Sequence, residues 1–328
     1  MDGRRQLILL ASSVTKNPKN DLDIYIVIMV IAGVVLAALV ITLGLLIYKR
    51  KAKSKQVIDK TEQIIEKKIQ EIKTEDKYMH LAVGKLHNVG KRTSQQDSFA
   101  VSDEKDMALC KEKGLIAIVA DGMGGLKDGD KISSIITLSL LKNFYEKKVS
   151  ENPLFTLLEM LKMANEEVNV FLKDKKERCG STLVTGIIKN HKLYWLSVGD
   201  SRIYLYRQKS LILLNREHTY REELDLKFVN GEITKEEAVR HEQKGALTSY
   251  IGMGKLEKID KSFSPVELKK GDRIIFASDG VFGTMGDEQM ASVMQYPLEE
   301  SIRMMNEWIV SVGKKNQDNY TAVIIECR

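Results

Sequence analysis

The apolar residues of this chain fall into one long run and a series of short runs. Residues 24–47 carry no charged side chain. As an α-helix, with a rise of about 1.5 Å per residue, this run would be about 36 Å long, enough to cross a hydrocarbon core of about 30 Å. The short runs predict β-strands. They lie at residues 81–86, 115–120, 182–188, 193–198, 203–206, 211–214, 273–277 and 321–326.

Two segments between the predicted strands have the apolar spacing of amphipathic helices. One follows Asp130 and the other follows Pro153. A proline suits the first turn of a helix, because the N–H that it lacks would have no partner there. Strands in meander spacing with helices grouped between them predict an α+β fold, a layered sandwich preceded by one transmembrane helix.

The charges that flank the long apolar run predict its orientation. Lysines and arginines crowd residues 49–60, whereas two lysines within residues 16–23 are offset by two aspartates. The excess of positive charge places the C-terminal side in the cytoplasm. We therefore expect a single-pass plasma-membrane protein. Its expected parts are an extracytoplasmic tail (1–23), a transmembrane helix (24–48), a basic juxtamembrane and helical linker (49–77) and a cytoplasmic domain (78–328).

The linker has a helical pattern that fits two arrangements. Isoleucines share one face of a predicted helix over residues 56–74, at positions 58, 65, 69 and 72. This spacing fits a weak parallel dimer, but Glu62 falls at an a position and interrupts the heptads. A solvated linker helix fits the pattern better, and the dimer stays as the alternative.

Composition and charge exclude several classes of protein. The 328 residues include 51 basic and 45 acidic ones, and the net charge of +6 forms no basic stripe outside the juxtamembrane segment. We therefore expect no nucleic-acid binding. The three cysteines lie far apart and form neither a metal-binding pair nor a disulfide framework, which suits a reducing compartment.

The stretch that carries the most chemistry begins with the apolar run 115–120. No polar residue alternates with the apolar ones, which predicts a strand buried on both faces. The run ends at Asp121, and three glycines follow within four residues, beginning with Gly122. Without Cβ atoms, backbone carbonyls can come close to a bound ion. Asp-Gly is also a favoured hairpin turn, but no second apolar strand follows directly. The acid and the exposed backbone together suit a hard cation.

Other acids stand at strand ends in the same way. Asp97 lies just ahead of a strand with Arg92 five residues before it, Asp200 lies in a turn, Asp279 ends a strand, and Asp318 leads into the last strand. Each alone also fits a turn or a helix cap. Together, carboxylates and a backbone carbonyl without a His or Cys cluster select Mg²⁺ or Mn²⁺. Such ions can activate a water, and an arginine suits a phosphate dianion, which together point to phosphate-ester hydrolysis.

Six motifs, in this order, resemble those of the metal-dependent PP2C-type (PPM) Ser/Thr protein phosphatases, in particular the bacterial branch. They are Arg92…Asp97, Asp121-Gly-Met-Gly-Gly, Gly180-Ser-Thr, Val-Gly-Asp200-Ser-Arg, Ala-Ser-Asp279-Gly and Asp318-Asn-Tyr-Thr. The resemblance implies an α-β-β-α layered sandwich, in which a central antiparallel β-sandwich is flanked by helices. It also implies a membrane-anchored enzyme that hydrolyses phosphoserine and phosphothreonine esters with a hydroxide bridging two Mg²⁺ or Mn²⁺ ions.

The resemblance assigns the inner metal ligands to four residues of this chain. Asp121 bridges both ions and is the catalytic carboxylate of the set. The carbonyl of Gly122 completes the shell of the second ion. Asp279 and Asp318 bind the first ion.

The resemblance also assigns three outer roles and the partners. Asp97 acts in the outer shell through water, and Arg92 receives the substrate phosphate as a catalytic residue. Asp200 matches the acid that bacterial relatives use for a third, weaker ion. The implied partners are phosphorylated proteins, among them a cognate Ser/Thr kinase.

Some positions depart from the family pattern. Gln95-Gln96 stands where relatives have Asn-Glu or Asn-Gln, Leu126 where many have His, and Met123 where eukaryotic members have a His proposed as general acid. Residues 217–250 align loosely with the mobile flap of the family.

Two other functions stay open. One is a catalytically silent scaffold, which the presence of the metal acids opposes. The other is a metal-dependent nuclease or phosphodiesterase, which the lack of a basic groove opposes.

Overall fold

A computed structural model of the protein describes residues 18–75, 79–123, 128–175 and 179–328. The chain divides into two units, Met1–Asp76 and Lys77–Arg328. Two parts of the sequence predictions lie outside the described residues. They are residues 1–17 of the expected tail and, after Met123, the glycines at 124 and 125 with Leu126.

One helix accounts for the described part of the first unit. Helix α1 runs from Pro18 to Glu75 and joins the expected span and the expected linker without interruption. Its large apolar side chains between Ile26 and Tyr48 are at least half exposed. Within the described residues, α1 is the helix that is long and apolar enough to cross a membrane. A continuous apolar surface of this size in water is unfavourable, so it needs lipid or a partner around it.

The described part of the second unit is made of short strands and helices. The strands are β1 (Leu81–Asn88), β2 (Asp97–Val101), β3 (Leu115–Met123), β4 (Gly180–Ser181), β5 (Leu183–Lys189), β6 (Lys192–Val198), β7 (Arg202–Arg207), β8 (Ser210–Leu213), β9 (Asp260–Lys261), β10 (Val266–Glu267), β11 (Arg273–Ala277) and β12 (Tyr320–Cys327). The helices are α2 (Met107–Glu112), α3 (Gly129–Glu146), α4 (Pro153–Leu172), α5 (Tyr220–Val229), α6 (Lys235–Arg240), α7 (Asp279–Phe282), α8 (Asp287–Val293) and α9 (Leu298–Val312). Each apolar run predicted to be a strand forms one, and α3 and α4 are the two predicted helices.

The strands form two antiparallel sheets. The first sheet has the order β1, β12, β11, β7, β8, and the second has the order β10, β6, β5, β3, β2. The short strands β4 and β9 lie beside β3 and β6, respectively. All of the strand pairs are antiparallel, as predicted for a central antiparallel sandwich.

Three apolar layers hold the sheets and helices together. The middle layer lies between the two sheets and contains Val119, Phe276 and Val323. Ile118 on the other face of β3 packs with α3 and α4. Ile275 on the other face of β11 packs with α8 and α9. The order is helices, sheet, sheet, helices, which confirms the α-β-β-α sandwich.

Strand β3 shows why its sequence has no alternation. Successive side chains of a strand point to opposite faces. In β3 one face meets the other sheet and the opposite face meets helices, so all the residues of 115–120 are fully buried. The unbroken apolar run is therefore the mark of a strand between two apolar layers.

The antiparallel registers bring particular strand ends to one edge of the sandwich. Asp97 pairs with Asp121 between β2 and β3. In the first sheet, Ala277 at the end of β11 lies between the starts of β7 and β12. The chain enters β1 at Leu81, opposite Cys327, which is the other end of this sheet.

Several elements are not evident in the apolar pattern. Helices α5 and α6 are short and polar, and α7 is a single turn. Helix α9 buries Leu298, Met305 and Ile309 against the first sheet. Unlike α5 to α7, α9 does carry apolar residues at helical spacing, although it was not among the predicted helices; Trp308 and Val310 lie exposed on its outer side.

The packing of α3 can be tested with a pair of phenylalanines. Phe144 in α3 is fully buried, whereas Phe155 in α4 is 62% exposed. We expect Phe144→Ala to lower the free energy of unfolding by about 3–5 kcal/mol, because it leaves a cavity in the core. Phe155→Ala should change it by less than about 0.5 kcal/mol. Urea denaturation measures both, and equal losses would contradict this placement of Phe144.

Candidate metal centre

Five aspartates meet at the edge where the strand ends gather. Asp97 begins β2, Asp121 lies in β3, Asp200 lies in the turn between β6 and β7, Asp279 begins α7 just after β11, and Asp318 precedes β12. Their proximity appears in their electrostatics. Burial raises the pKa of the Asp121 carboxyl well above its usual range, and the negative charges of the other four aspartates raise it further. The structure therefore brings the sequence-predicted acids together.

The backbone of Asp121 is fixed by the neighbouring strand. The backbone N–H of Thr182 and the hydroxyl of Ser181 both donate to the Asp121 carbonyl, each at 2.9 Å. The next residue, Gly122, lies in a narrow place, since a Cβ atom built there would be 2.2 Å from the carbonyl oxygen of Gly129. A side chain at this position would push the two backbones apart. Glycine therefore lets this end of β3 pack against the start of α3.

Asp97 is buried, and only one of its two carboxylate oxygens accepts hydrogen bonds from the described residues. The hydroxyls of Ser278 and Thr321 donate to its Oδ2 atom at 2.8 and 2.7 Å. Its Oδ1 atom is also buried but has no hydrogen-bond partner among the described residues. Burial raises the pKa of Asp97 to about 6, and the charges of Asp279 and Asp318 add to the rise. A buried carboxylate oxygen without a partner is unfavourable unless an ion or a water completes it.

Two more acids complete the centre. Asp200 comes from the turn between β6 and β7, and Asp279 follows β11 of the first sheet. Burial raises the pKa of Asp200 to about 7, with the charge of Asp279 as the next cause. Burial also raises the pKa of Asp279, followed by the charge of Asp318. The side chains of Asp279 and Asp121 are within hydrogen-bonding reach of each other. Acids held this close favour a bound cation, which would offset their repulsion.

Arg92 lies at the rim of the centre and pairs with Asp318. Its Nη2 atom is 2.6 Å from Oδ2 of Asp318, and the two side chains are 54% and 39% exposed. The other carboxylate oxygen, Oδ1, accepts the backbone N–H of Asn319 at 2.8 Å. The sequence-predicted phosphate residue is therefore next to the acids, at the side that faces solvent.

The donor set fits a hard divalent ion, although the side chains are not yet arranged around one. Within the described residues, no three His, Cys, Asp or Glu side chains are placed so that they could hold a metal ion as they stand. Arg92 engages one oxygen of Asp318, and Asp279 lies against Asp121. Yet the centre is rich in carboxylate oxygens, and Oδ1 of Asp97 lacks a partner. These are the ligands that Mg²⁺ and Mn²⁺ take, so the residues fit such ions.

Several residues around the centre hold its acids and the loop of Arg92 in place. Gln95 accepts the backbone N–H of Asp97 at its Oε1 atom. Asn319 is 3% exposed and holds the loop that carries Arg92. Ser278 and Thr321 hold Asp97 from the opposite sheet. Their positions next to Asp279 and Asp318 were the available signal, since a residue beside a strand-end acid is well placed to orient it.

The turn that carries Asp200 is fixed by residues at the start of the expected flap, 217–250. His218 is buried and makes two hydrogen bonds to Gly199. Its ring atom Nδ1 accepts the backbone N–H of Gly199, and its backbone N–H donates to the Gly199 carbonyl. Arg202 donates to Glu217 at 2.5 Å and lies over the ring of Phe282 in α7. His218 was placed in the mobile flap from sequence alone, but it belongs to the buried base of the Asp200 turn.

Comparison with known proteins gives the class of this enzyme. Serine/threonine phosphatase stp of Listeria innocua is 29% identical over 228 residues, which are 66% of this chain and 86% of that protein. Protein phosphatase PhpP of Streptococcus pneumoniae is 27% identical over 257 residues, which are 75% of this chain and 97% of that protein. The protein is a metal-dependent Ser/Thr protein phosphatase. A family model described as protein phosphatase 2C matches residues 83–318, and the chain belongs to this family.

Solved structures share the fold. A serine/threonine phosphatase of S. agalactiae is 24% identical, with a TM-score of 0.66, and the match covers 76% of this chain and 100% of that one. The catalytic domain of the phosphatase PstP, solved in complex with two manganese ions, is 23% identical with a TM-score of 0.60. That match covers 76% of this chain and 99% of that one.

The raised pKa of Asp200 predicts how the metal-free protein responds to pH. Its folded pKa of about 7 is above the ordinary 3.8, so the protonated carboxyl stabilises the fold and this contribution is lost as the pH rises through about 7. We expect the melting temperature of full-length protein in detergent and EDTA to fall between about pH 4 and 7 and then to level off, because over this range the folded protein keeps a proton that the unfolded chain has lost. Asp200→Asn should flatten this fall, because an amide does not ionise. Thermal unfolding of the wild type and of Asp200→Asn measures both pH profiles. Identical profiles would contradict the raised pKa of Asp200.

Proposed function

We propose that this enzyme is a membrane-anchored phosphatase whose aspartates hold two Mg²⁺ or Mn²⁺ ions to hydrolyse phosphoserine and phosphothreonine esters of proteins. The observation that carries the proposal is the meeting of five aspartates, with the partnerless Oδ1 atom of Asp97 among them and Arg92 at their rim. The relative PstP, solved with two manganese ions, supports the number and kind of ion.

The electrostatics support a bridging role for Asp121. Burial raises its pKa, and the charges of Asp97, Asp200, Asp279 and Asp318 raise it further, so Asp121 is close to all four of the other acids. A carboxylate in the middle has one oxygen for each of two ions. We assign Asp121 to both ions, in agreement with the role that the family motif implies.

The remaining ligands follow from position. We assign Asp279 and Asp318 to the first ion and the carbonyl of Gly122 to the second. Asp97 holds its Oδ2 atom between two hydroxyls and keeps Oδ1 for an ion-bound water. Asp200, in its own turn beyond the others, is assigned to a third and weaker ion.

The chemistry is then divided between the ions and the protein. When bound, the ions supply an activated water and offset the charge of the phosphate. Arg92 binds the phosphate oxygens, for which the fork of a guanidinium is well shaped. More than half of its side chain is exposed, so it can turn from Asp318 toward a phosphate without a backbone movement. The closeness of Arg92 to the acids fixes the reacting phosphorus beside the metal centre.

The first unit supplies the proposed anchor. We propose that the apolar part of α1, residues 24–48, crosses the plasma membrane once and that the phosphatase domain faces the cytoplasm. The basic residues after the span support this orientation. Phosphorylated proteins are the substrates of the class, and we propose a cognate Ser/Thr kinase among them. Ile65 of α1, which belongs to the predicted isoleucine face, is exposed, and we propose a weak dimer through residues 56–74 as the alternative to a solvated linker helix.

Removal of one metal acid tests the centre. We expect Asp279→Asn to lose Mn²⁺-dependent turnover of a phosphothreonine peptide by about 10²-fold or more, because a neutral amide is a poor ligand for a hard cation. Asp103→Asn, an exposed acid at the far end of the sandwich, is the matched control and should keep the rate. Calorimetric titration with Mn²⁺ should show weakened binding in the first variant alone. Normal Mn²⁺ binding and turnover in Asp279→Asn would exclude the proposed centre.

A protease added outside intact cells tests the topology. The domain of residues 79–328 should stay uncut in intact cells and become sensitive once the membrane is permeabilised, because the basic flank retains it on the cytoplasmic side. Immunoblotting with an antibody against the domain gives the measurement. Loss of the domain from intact cells would reverse the proposed orientation.

A further inference from the structure

We propose that Asn319 is the positioning residue that holds Arg92 at the metal centre, so that the binding of the phosphoryl group depends on it. This inference rests on the proposed phosphate-binding role of Arg92. Asn319 follows Asp318 and precedes the last strand, and its side chain turns away from the acids toward the loop of residues 89–96. That loop carries Arg92 at its middle.

The side chain of Asn319 closes this loop at both ends. Its Nδ2 atom donates to the carbonyl of Val89 at 2.8 Å and to the carbonyl of Ser94 at 3.0 Å. Its Oδ1 atom accepts the backbone N–H of Gln96 at 2.8 Å. One buried amide thus joins three backbone groups that lie before and after Arg92. The N–H of Arg92 itself shares the Val89 carbonyl at 3.3 Å.

The loop also lies directly on the backbone around Asp318. Lys91 donates its N–H to the carbonyl of Gln317 at 2.9 Å. Gly90 has a φ of +63°, and a Cβ atom there would lie 2.2 Å from the Asp318 carbonyl oxygen. Only glycine fits this approach. The clamp therefore sets the distance between the phosphate residue and the metal acid Asp318.

The chemistry of the clamp requires an amide. Asn319 uses two donors and one acceptor, and it is almost fully buried. An aspartate would place its oxygens against two carbonyl oxygens, and an alanine would leave buried backbone groups unpaired. Among the described residues, the Asn319 side chain makes no hydrogen bond to the five acids; only the backbone N–H of Asn319 donates to Oδ1 of Asp318. Loss of the side chain should therefore disturb phosphate binding more than ion binding.

The test separates phosphate affinity from metal affinity in the full-length protein in detergent. For Asn319→Ala we expect the KM of a phosphothreonine peptide, the KM of p-nitrophenyl phosphate and the Ki of inorganic phosphate to rise together by about tenfold. The rise should be equal for large and small ligands because Arg92 contacts the phosphoryl group that they share. Mn²⁺ affinity, measured by calorimetry, should stay within about threefold. A Mn²⁺ affinity that falls as far as the phosphate affinity would overturn the proposal.

Gln317→Ala is the matched control. Gln317 is also a buried amide beside Asp318, and its side chain donates to the carbonyls of Gly280 and Asp318 and accepts from the Thr284 hydroxyl, but it makes no hydrogen bond to the loop of residues 89–96. A general loosening of the segment would give both variants the same kinetic change. We expect the phosphate-specific rise in KM and Ki in Asn319→Ala alone, and the same rise in Gln317→Ala would overturn the proposal.

A double-mutant cycle shows whether Asn319 acts through Arg92. In an Arg92→Ala background, Asn319→Ala should raise the Ki of phosphate no further, because the group that it positions is gone. Additive losses would overturn the proposal. If Arg92→Ala alone leaves KM and Ki unchanged, the proposed phosphate role of Arg92 fails instead, while a normal effect of Arg92→Ala with no effect of Asn319→Ala refutes the clamp alone.

A second variant keeps the test decisive if Asn319→Ala does not fold. Gly90→Ala displaces the same loop from Asp318 while Asn319 is intact. It should show the same signature, a rise in the Ki of phosphate with little change in Mn²⁺ affinity. An unchanged Ki in Gly90→Ala would mean that the position of the loop does not control phosphate binding, which would overturn the proposal.

Discussion

The repulsion among five aspartates at one edge is the constraint on which the rest of the structure depends. Burial and like charges together raise the pKa values of the aspartates at this edge, because the ionised carboxylates are unfavourable there. Their supports are mostly neutral. The hydroxyls of Ser278 and Thr321 and the backbone around Thr182 hold Asp97 and Asp121 without adding charge. The charge of the centre is therefore left to cations, which is the state that a metal-dependent phosphatase requires.

The centre lies on the seam between the two sheets. Asp97 and Asp121 belong to the second sheet, whereas Asp279 and Asp318 adjoin strands of the first. Asp200 lies on the turn between β6 and β7, where the chain passes from one sheet to the other. The distances among the acids are therefore set by the apolar layer between the sheets. A core change in that layer can reach the metal centre without contacting it.

The parts of the structure that could be predicted from the sequence are those in which a local residue pattern fits only one structural explanation. The unbroken apolar runs of β3 and β11 indicate strands covered on both faces, and the acids were found because each directly follows or precedes such a strand. The pairing of Arg92 with Asp318 and the clamp of Asn319 join the two ends of the domain. No local pattern records such contacts, since they arise only once β1 and β12 are paired. Helix α9 has the apolar spacing of an amphipathic helix and could have been predicted from it, whereas α5 and α6 are short and mostly polar and could not.

The pairing of β1 with β12 also separates the connection to α1 from the chemistry. The chain enters the sandwich at Leu81 and reaches Asn88, beside the Arg92 loop, at the end of this eight-residue strand. At about 3.3 Å per residue, the strand spans about 26 Å. The connection and the metal centre thus lie at opposite ends of the same strand.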